Sequence, residues 1–286
     1  MNRYILVLLL GVFISGCAVT PKTRFSEFYK EGADKKHIDL IIDTFIVSDI
    51  KGSDIGVNKT KNQEASELVR KGVIELLEER GYTVNLAYIG NGISYERSDK
   101  QQYVYSEEWE SIGEEYKGPV AKSASDPWVT DESQIFLKRL IKRGKAANVT
   151  VADKRRLVPR IKPEEIPEFV NNLPSRHLML VSLSAGEVGS GKSIGTGILT
   201  GVLSAALTGG MYVYSSTTVS GSTIDITLFD KETSRISWNN GLLQGPKYKV
   251  AHKRLVGLFK YFPTVNGEIL PPTPSESLNS SRSLTR

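Results

Sequence analysis

The sequence predicts an α/β domain built on a mixed sheet of about five strands with flanking helices, and three observations carry that expectation. Ile38–Ile50 and Tyr82–Ile89 are β-prone runs that bracket an amphipathic helix over Glu64–Arg80. His177–Ala185 (HLMLVSLSA) is an apolar run of strand length. Ile224–Phe229 and Arg235–Leu243 flank the polar turn Asp230-Lys231-Glu232-Thr233-Ser234 and are followed by a second amphipathic helix.

Each element has its own justification. Ile38–Ile50 (IDLIIDTFIVSDI) is dense in β-branched and aliphatic residues, the composition of a strand. Lys51–Asn62 mixes Gly, Ser and Asn and reads as a loop. Ala65, Leu68, Val69, Val73, Leu76 and Leu77 recur at helical spacing, and Gly81 occupies the position just past a helix end where glycine stops it. Tyr82–Ile89 alternates as a strand.

An insert runs from about residue 90 to 172. It holds an acidic patch (Glu107, Glu108, Glu110, Glu114, Glu115) around Trp109 and a loop over Gly118–Trp128. Ser133–Arg143 then reads as a helix through Ile135, Phe136, Leu140 and Ile141, and Pro163–Asn172 as a short one with Pro163 in its first turn. After the buried strand His177–Ala185, Met211–Val219 is β-prone. Beyond the hairpin, Lys247–Phe262 is a helix opened by Pro246 and stopped by Pro263, with Ala251, Leu255, Leu258, Phe259 and Phe262 on one face. The domain is therefore expected over 37–262. A tail over 263–286, rich in Pro, Ser and Asn, is expected to be disordered.

Composition narrows the chemistry. The 286 residues are 40% apolar and 24% charged, ordinary values for a chain that buries a core. Cys17 is the single cysteine, which excludes disulfides within the chain, cysteine-based zinc sites and iron–sulfur clusters. His37, His177 and His252 stand too far apart in sequence to form a local metal motif.

The first seventeen residues address the compartment. Met1-Asn2-Arg3-Tyr4 is a short positive segment, Ile5–Phe13 is an apolar run of nine, and Ile14-Ser15-Gly16-Cys17 follows. Nine apolar residues are too few to span a bilayer but suit an export signal. The plain reading of Cys17 is a small buried hydrophobe. Ile14-Ser15-Gly16-Cys17, however, resembles the lipobox of bacterial lipoproteins. The resemblance implies recognition of Ile14, Ser15 and Gly16 by signal peptidase and cleavage before Cys17. It also implies a diacylglycerol and an N-acyl chain on that cysteine, enough acyl chains for stable attachment. Ala18, where an aspartate would retain such a protein in the inner membrane, implies the outer membrane with the domain in the periplasm. Residues 18–36 then read as a tether.

The order β-α-β, helical insert, β, loop, hairpin, helix behind a lipobox resembles a group of envelope lipoproteins. The group includes the penicillin-binding-protein activator LpoB and the curli secretion lipoprotein CsgG, and is related to the amino-terminal domain of TolB. Two stretches carry the resemblance. One is Leu76-Leu77-Glu78-Glu79-Arg80-Gly81-Tyr82-Thr83-Val84. The other is Asp230-x-x-Thr233-Ser234-x-x-x-Trp238, with Ser234 in place of a usual glycine. In the latter, Asp230 is expected to accept backbone N–H groups of the turn and Trp238 to cover the sheet edge. Ser234 leaves the turn type open. The group acts by binding partners, so no catalytic residues carry over and no enzyme is expected.

Two motifs point toward catalysis. Gly186–Ser193 (GEVGSGKS) fits the phosphate-loop pattern at every fixed position, with Lys192 and Ser193 as the phosphate and magnesium contacts. The following Ile194-Gly195-Thr196-Gly197 is a poor first helical turn, and an exported domain meets little ATP. Gly191-Lys192-Ser193-Ile194-Gly195 fits a nucleophile elbow, with Asp225 or Asp230 and then His252 downstream. Two incompatible motifs within ten residues show mainly how readily Gly/Ser-rich sequence yields matches, and a P-loop nucleotide binder is the weakest reading.

Two further segments are more telling. Ser193–Ile224 holds no charged residue over thirty-two positions, and Gly197, Gly201, Ala205 and Gly209 recur every fourth residue. That spacing suits close helix packing against the sheet, a homo-oligomer or a membrane. Phe136–Lys162 is the basic run: Lys138, Arg139, Lys142, Arg143, Lys145, Lys154, Arg155, Arg156, Arg160 and Lys162 against Asp153, a surplus of nine. The whole chain carries only +5, so its basic character is local. A solvated face is one explanation. Contact with anionic headgroups or an acidic partner is the other, with Lys138, Arg139, Lys142, Arg143, Arg155 and Arg156 as its residues. Nucleic acid is not expected, since interleaved aromatics are missing. The sequence thus points to a lipid-anchored domain with an envelope protein partner, without cofactor beyond its acyl groups.

Overall fold

The computed structural model describes residues 36–49, 55–92, 103–107, 110–115, 130–150, 160–187, 221–244 and 252–270. In chain order they form β1 (His37–Asp49), β2 (Ile55–Asn58), α1 (Lys59–Glu78), β3 (Thr83–Asn91), β4 (Tyr103–Glu107), β5 (Glu110–Glu115) and α2 (Asp131–Thr150). A 3-10 turn (Pro163–Glu165), α3 (Glu168–Asn171), β6 (His177–Glu187), β7 (Gly221–Asp230), β8 (Arg235–Gln244) and α4 (His252–Phe259) follow.

The fold is α/β, on one mixed sheet whose hub is β1. Along one edge β1 pairs in parallel with β6, from Ile38↔His177 to Ser48↔Glu187. β6 pairs antiparallel with β7, and β7 with β8. The other edge of β1 is shared. Its first half pairs in parallel with β3, ending at Thr44↔Asn91, and its last residues pair antiparallel with β2 from Val47↔Val57 onward. β2 in turn carries β4 and β5.

The five strands expected from sequence are β3-β1-β6-β7-β8, contiguous in the sheet. The other three come from the stretch read as a loop (β2) and from the insert (β4, β5); the acidic patch supplies residues of β4 and β5. Hydrophobic patterning could not announce them, because they are short and add to an edge. The β-prone stretch Met211–Val219 lies outside the described residues.

Helices cover both faces, which explains why β1 and β6 read as near-continuous apolar runs. On one face Ile38, Leu40, Ile42 and Ile46 of β1 pack with Met179, Val181 and Leu183 of β6 beneath α1 and α4, which contribute Val69, Val73, Leu76, Leu258 and Phe259. On the other, Ile41, Leu178, Leu180, Phe229 and Ile236 lie under Phe136, Leu137 and Leu140 of α2 and under Ile161, Ile166 and Val170. Phe136 meets Phe229 edge-on, with ring centroids 5.8 Å apart.

α1 ends as its sequence predicts. Gly81 takes φ +86°, its N–H donates to Glu78 O (2.9 Å), and the Tyr82 N–H donates back to Leu77 O (3.1 Å). This is the paired closure that a left-handed glycine permits. A Cβ at Gly81 would also lie 2.9 Å from Val265. That contact marks an extension of the folded chain past the expected boundary at Phe262. The Tyr82 hydroxyl donates to Pro263 O (3.2 Å) and the Val265 N–H to Arg80 O (2.9 Å), so residues 263–265 pack against the end of α1. α4 ends at Phe259, three residues before the end expected from Pro263, and the chain after that proline still finds backbone partners. Residues 271–286 lie outside the described residues.

The short helix expected over Pro163–Asn172 is two separate turns. Pro167 lacks an N–H and disfavours helical backbone at the residue before it, and Ile166 sits extended at φ −94°, ψ 118°.

Candidate functional site

The basic helix α2 is built on the sheet with one face committed. Thr130 caps its start, its Oγ1 accepting the Ser133 N–H at 3.2 Å, and Asp131 and Glu132 fill the first turn where the helix dipole favours acids. Phe136, Leu137 and Leu140 are fully buried. Gly144 sits where a Cβ would lie 2.5 Å from Asn239 Nδ2 and 2.6 Å from Thr227 Oγ1, so the helix backbone rests on β7 and β8. Side chains on the opposite face are open to solvent. Ile135, Lys142 and Arg143 are exposed, Lys138 and Arg139 partly so, and Arg139 meets Glu165 at 3.7 Å. The structure thus brings together Lys138, Arg139, Lys142 and Arg143. Arg155 and Arg156 lie outside the described residues.

The hairpin motif Asp230…Trp238 joins β7 to β8, the strand pair on which α2 rests. Asp230 Oδ1 accepts the N–H groups of Glu232 (3.0 Å) and Thr233 (3.3 Å), as expected of the turn. It also accepts two hydrogen bonds from Arg176, Nε to Oδ1 at 3.0 Å and Nη2 to Oδ2 at 2.7 Å. Burial works against the carboxylate, but the hydrogen bonds from Arg176 and Thr233 and the nearby positive charge outweigh it and hold its pKa below the ordinary range. Ser234 adopts φ +55°, so the turn keeps the left-handed backbone of the usual glycine. Trp238 is fully buried and does more than cover an edge: it joins the core beneath α4, 5.0 Å from Phe262 and 6.1 Å from Phe259 between centroids.

Next to this turn lies a buried charge cluster that no sequence motif marks. Asp39 accepts hydrogen bonds from the Ser175 N–H (3.0 Å), the Ser175 hydroxyl (2.9 Å) and Asn85 Nδ2 (2.9 Å), and Lys231 Nζ stands 3.8 Å away. Lys231 also donates to Leu173 O (2.6 Å) and Val170 O (3.2 Å). Burial pushes its ammonium pKa down, with Asp39 opposing. Every group here is occupied in joining the β1 start, the β6 approach and the hairpin, which is structural work.

A second polar array crosses the sheet under the α2 side. Asp43 is paired in register with Ser182, Ser182 with Asp225 and Asp225 with Gly241. One row below, Thr227 is opposite Asn239, whose Nδ2 donates to Thr227 Oγ1 at 2.8 Å. The spacing of Asp39 and Asp43 in IDLIID, four residues apart, was the one available sign that this face of β1 is polar.

This geometry separates the residues of the catalytic motifs. Ile224 and Ile226 face the α1–α4 core, so Asp225 between them faces α2, whereas His252 begins α4 on the opposite side. Asp230 is engaged by Arg176. Ser193 and the side chain of His252 lie outside what the structure describes. In the phosphate-loop pattern Gly186 and Glu187 are still strand, Gly186 pairing with Val47 and with Gly221. Val188–Ser193, with Lys192, lies outside the described residues, as do Gly197, Gly201, Ala205, Gly209, Ile14, Ser15, Gly16 and Cys17. Among the described residues no group of acidic, histidine or cysteine side chains is placed to hold a metal, and no helix is long and apolar enough to cross a membrane. Compared with models of known protein families, with curated proteins and with solved structures, the chain matches none.

Proposed function

We propose that this chain is a lipid-anchored lipoprotein of the bacterial outer membrane. Its periplasmic α/β domain binds and regulates or scaffolds an envelope assembly, such as one for cell-wall synthesis or secretion. The observation that carries the reading is Ile14-Ser15-Gly16-Cys17 directly behind a basic and apolar leader. Supporting it, nineteen residues lie between Cys17 and the first described strand, β1, a spacing that suits a tethered binding module. The ionised groups buried in the domain join strands and turns, and Lys138, Arg139, Lys142 and Arg143 lie together on α2.

Cys17→Ser tests the anchor. Metabolic labelling with radioactive palmitate should mark the parent chain and not the variant, and the variant should leave the membrane fraction. Palmitate retained by Cys17→Ser would sink the reading. Cross-linking in cells and identification of the captured envelope proteins would name the partner.

A second reading is favoured by one observation. β6 ends at Glu187 and β7 starts at Gly221, with Gly186 and Gly221 directly opposite each other, so the two ends of the intervening chain lie at one place on the sheet. A segment closed at its base in this way can be inserted elsewhere without disturbing the domain, as a subunit of an oligomeric membrane or secretion complex would need. Native mass measurement of the detergent-solubilised protein separates the two, since a clean monomer excludes the oligomer.

A further inference from the structure

We infer that the outward face of α2 docks the domain onto an anionic lipid surface. This rests on the anchor reading above, because it needs a domain held beside a bilayer. Opposite the buried Phe136, Leu137, Leu140 and Gly144, the side chains of Ile135, Lys138 and Lys142 fall at helical spacing on one line, with Arg139 and Arg143 along its flank. Ile135 is 48% exposed, although it is aliphatic. Arg139 is engaged by Glu165, but no ion pair involves Lys138, Lys142 or Arg143 among the described residues.

An exposed aliphatic side chain beside clustered cations suits a headgroup region. The apolar group enters the boundary with the acyl chains while the cations meet lipid phosphates. A protein-binding face would have another composition. The centres of protein interfaces are poor in lysine and rich in aromatics, whereas this line has two lysines and no aromatic side chain. Asp131 lies on the same line but about 16 Å from Lys142 along the axis, so the C-terminal half of α2 meets the lipid. The inner face is already fixed by packing, and docking requires no refolding. Nineteen residues separate Cys17 from β1 and span at most about 70 Å, so the anchor permits the contact without enforcing it.

Acylation of Cys17, the single cysteine, leaves Ile135→Cys as the one free thiol for an environment-sensitive fluorophore. The full chain, processed and lipidated in cells, is reconstituted into vesicles of phosphatidylcholine alone or with phosphatidylglycerol. The expected result is a blue shift in emission on the anionic vesicles only, abolished near 1 M salt, where screening acts within about 3 Å. Replacing Lys138, Lys142 and Arg143 together by Gln should lower the docking equilibrium about a hundredfold, at roughly fivefold per cation. These positions are at the surface, so the variant's melting temperature should stay at the parent value.

A label that stays in water on both vesicle types, in a protein that still floats with them, overturns the docking and leaves the anchor standing. Labelling of the parent chain would show Cys17 free and overturn both. A shift that requires added envelope protein on neutral vesicles also overturns the lipid assignment, in favour of an acidic protein.

Discussion

The side-chain amide of Asn62 takes both backbone groups of Ile46: its Oδ1 accepts the Ile46 N–H at 2.9 Å and its Nδ2 donates to the Ile46 carbonyl at 3.0 Å. Ile46 sits where the edge of β1 has lost β3, whose pairing ends at Thr44, and has not yet gained β2, whose pairing starts at Val47. A helix side chain thus fills one step of a strand ladder. Thr44 and Ser66 complete the clasp, with the Thr44 hydroxyl 3.2 Å from Asn62 O and 2.7 Å from Ser66 Oγ. Asn62→Leu should therefore leave two buried backbone groups unpaired and destabilise the domain by about 2–4 kcal/mol. Urea unfolding measures the loss; a variant within 0.5 kcal/mol of the parent, roughly the size of a neutral surface change, would show the clasp to be dispensable.

Arg80 is the second such device. Its guanidinium donates to Leu76 O (2.8 Å) at the end of α1 and to Phe259 O (3.3 Å) at the end of α4, while Nε reaches Phe262 O (3.3 Å). One buried cation thus serves the negative ends of two helix dipoles. Burial lowers its pKa, with Glu79 and Tyr82 opposing, but a guanidinium stays charged. Arg80→Lys should cost about 2 kcal/mol despite conserving charge, because an ammonium cannot span three acceptors set by a planar fork. Full stability in Arg80→Lys would mean that charge alone suffices.

Gly144→Ala should also destabilise, although alanine is the better helix former by about 1 kcal/mol. The new Cβ would press on Asn239 Nδ2 and Thr227 Oγ1, which are hydrogen-bonded to each other and cannot both yield. A net loss of about 2 kcal/mol is expected from overpacking. Thermal melting decides the sign, and a higher melting temperature would show that α2 lifts freely from the sheet.

Ser234→Gly should do the reverse. Ser234 holds φ +55°, a conformation in which its Cβ is strained and glycine is not. A gain of about 0.5–1 kcal/mol is expected, after allowing for the greater freedom of glycine in the unfolded chain. An unchanged or lower melting temperature would mean that the serine hydroxyl outweighs the strain.

Asp230 should make stability acid-sensitive. Its folded pKa lies below the ordinary value, so its contribution is complete above the unfolded pKa and disappears as pH falls through the folded one. With an unfolded value of about 3.9, the loss should set in below about pH 5 and deepen toward pH 2. Asp230→Asn should cost about 2–3 kcal/mol at pH 7, leaving Arg176 only the exposed Glu232, 2.9 Å away, as its anion, and the gap to the parent should narrow at pH 3. A gap that is the same at both pH values would remove the carboxylate from the explanation.

What the sequence determined by itself is whatever depends on local period and local turn chemistry. The five central strands, the run of α1 from Ala65 to Leu77, the Gly81 stop and the Asp230 turn were legible because apolar spacing and backbone preferences act over a few residues. The proposed anchor at Cys17 and the basic character of α2 are of the same kind. The tertiary structure decided what depends on neighbours distant in sequence. Residues 59–63 are helical because Asn62 reaches Ile46, although KTKNQ has no apolar face to announce it. Residues 263–265 pack where Val265 finds Arg80 O. Above all, only the packing shows which side of α2 is spent. Its inner residues touch the sheet, and that contact, between parts of the chain about ninety residues apart, leaves Lys138, Lys142 and Arg143 facing outward.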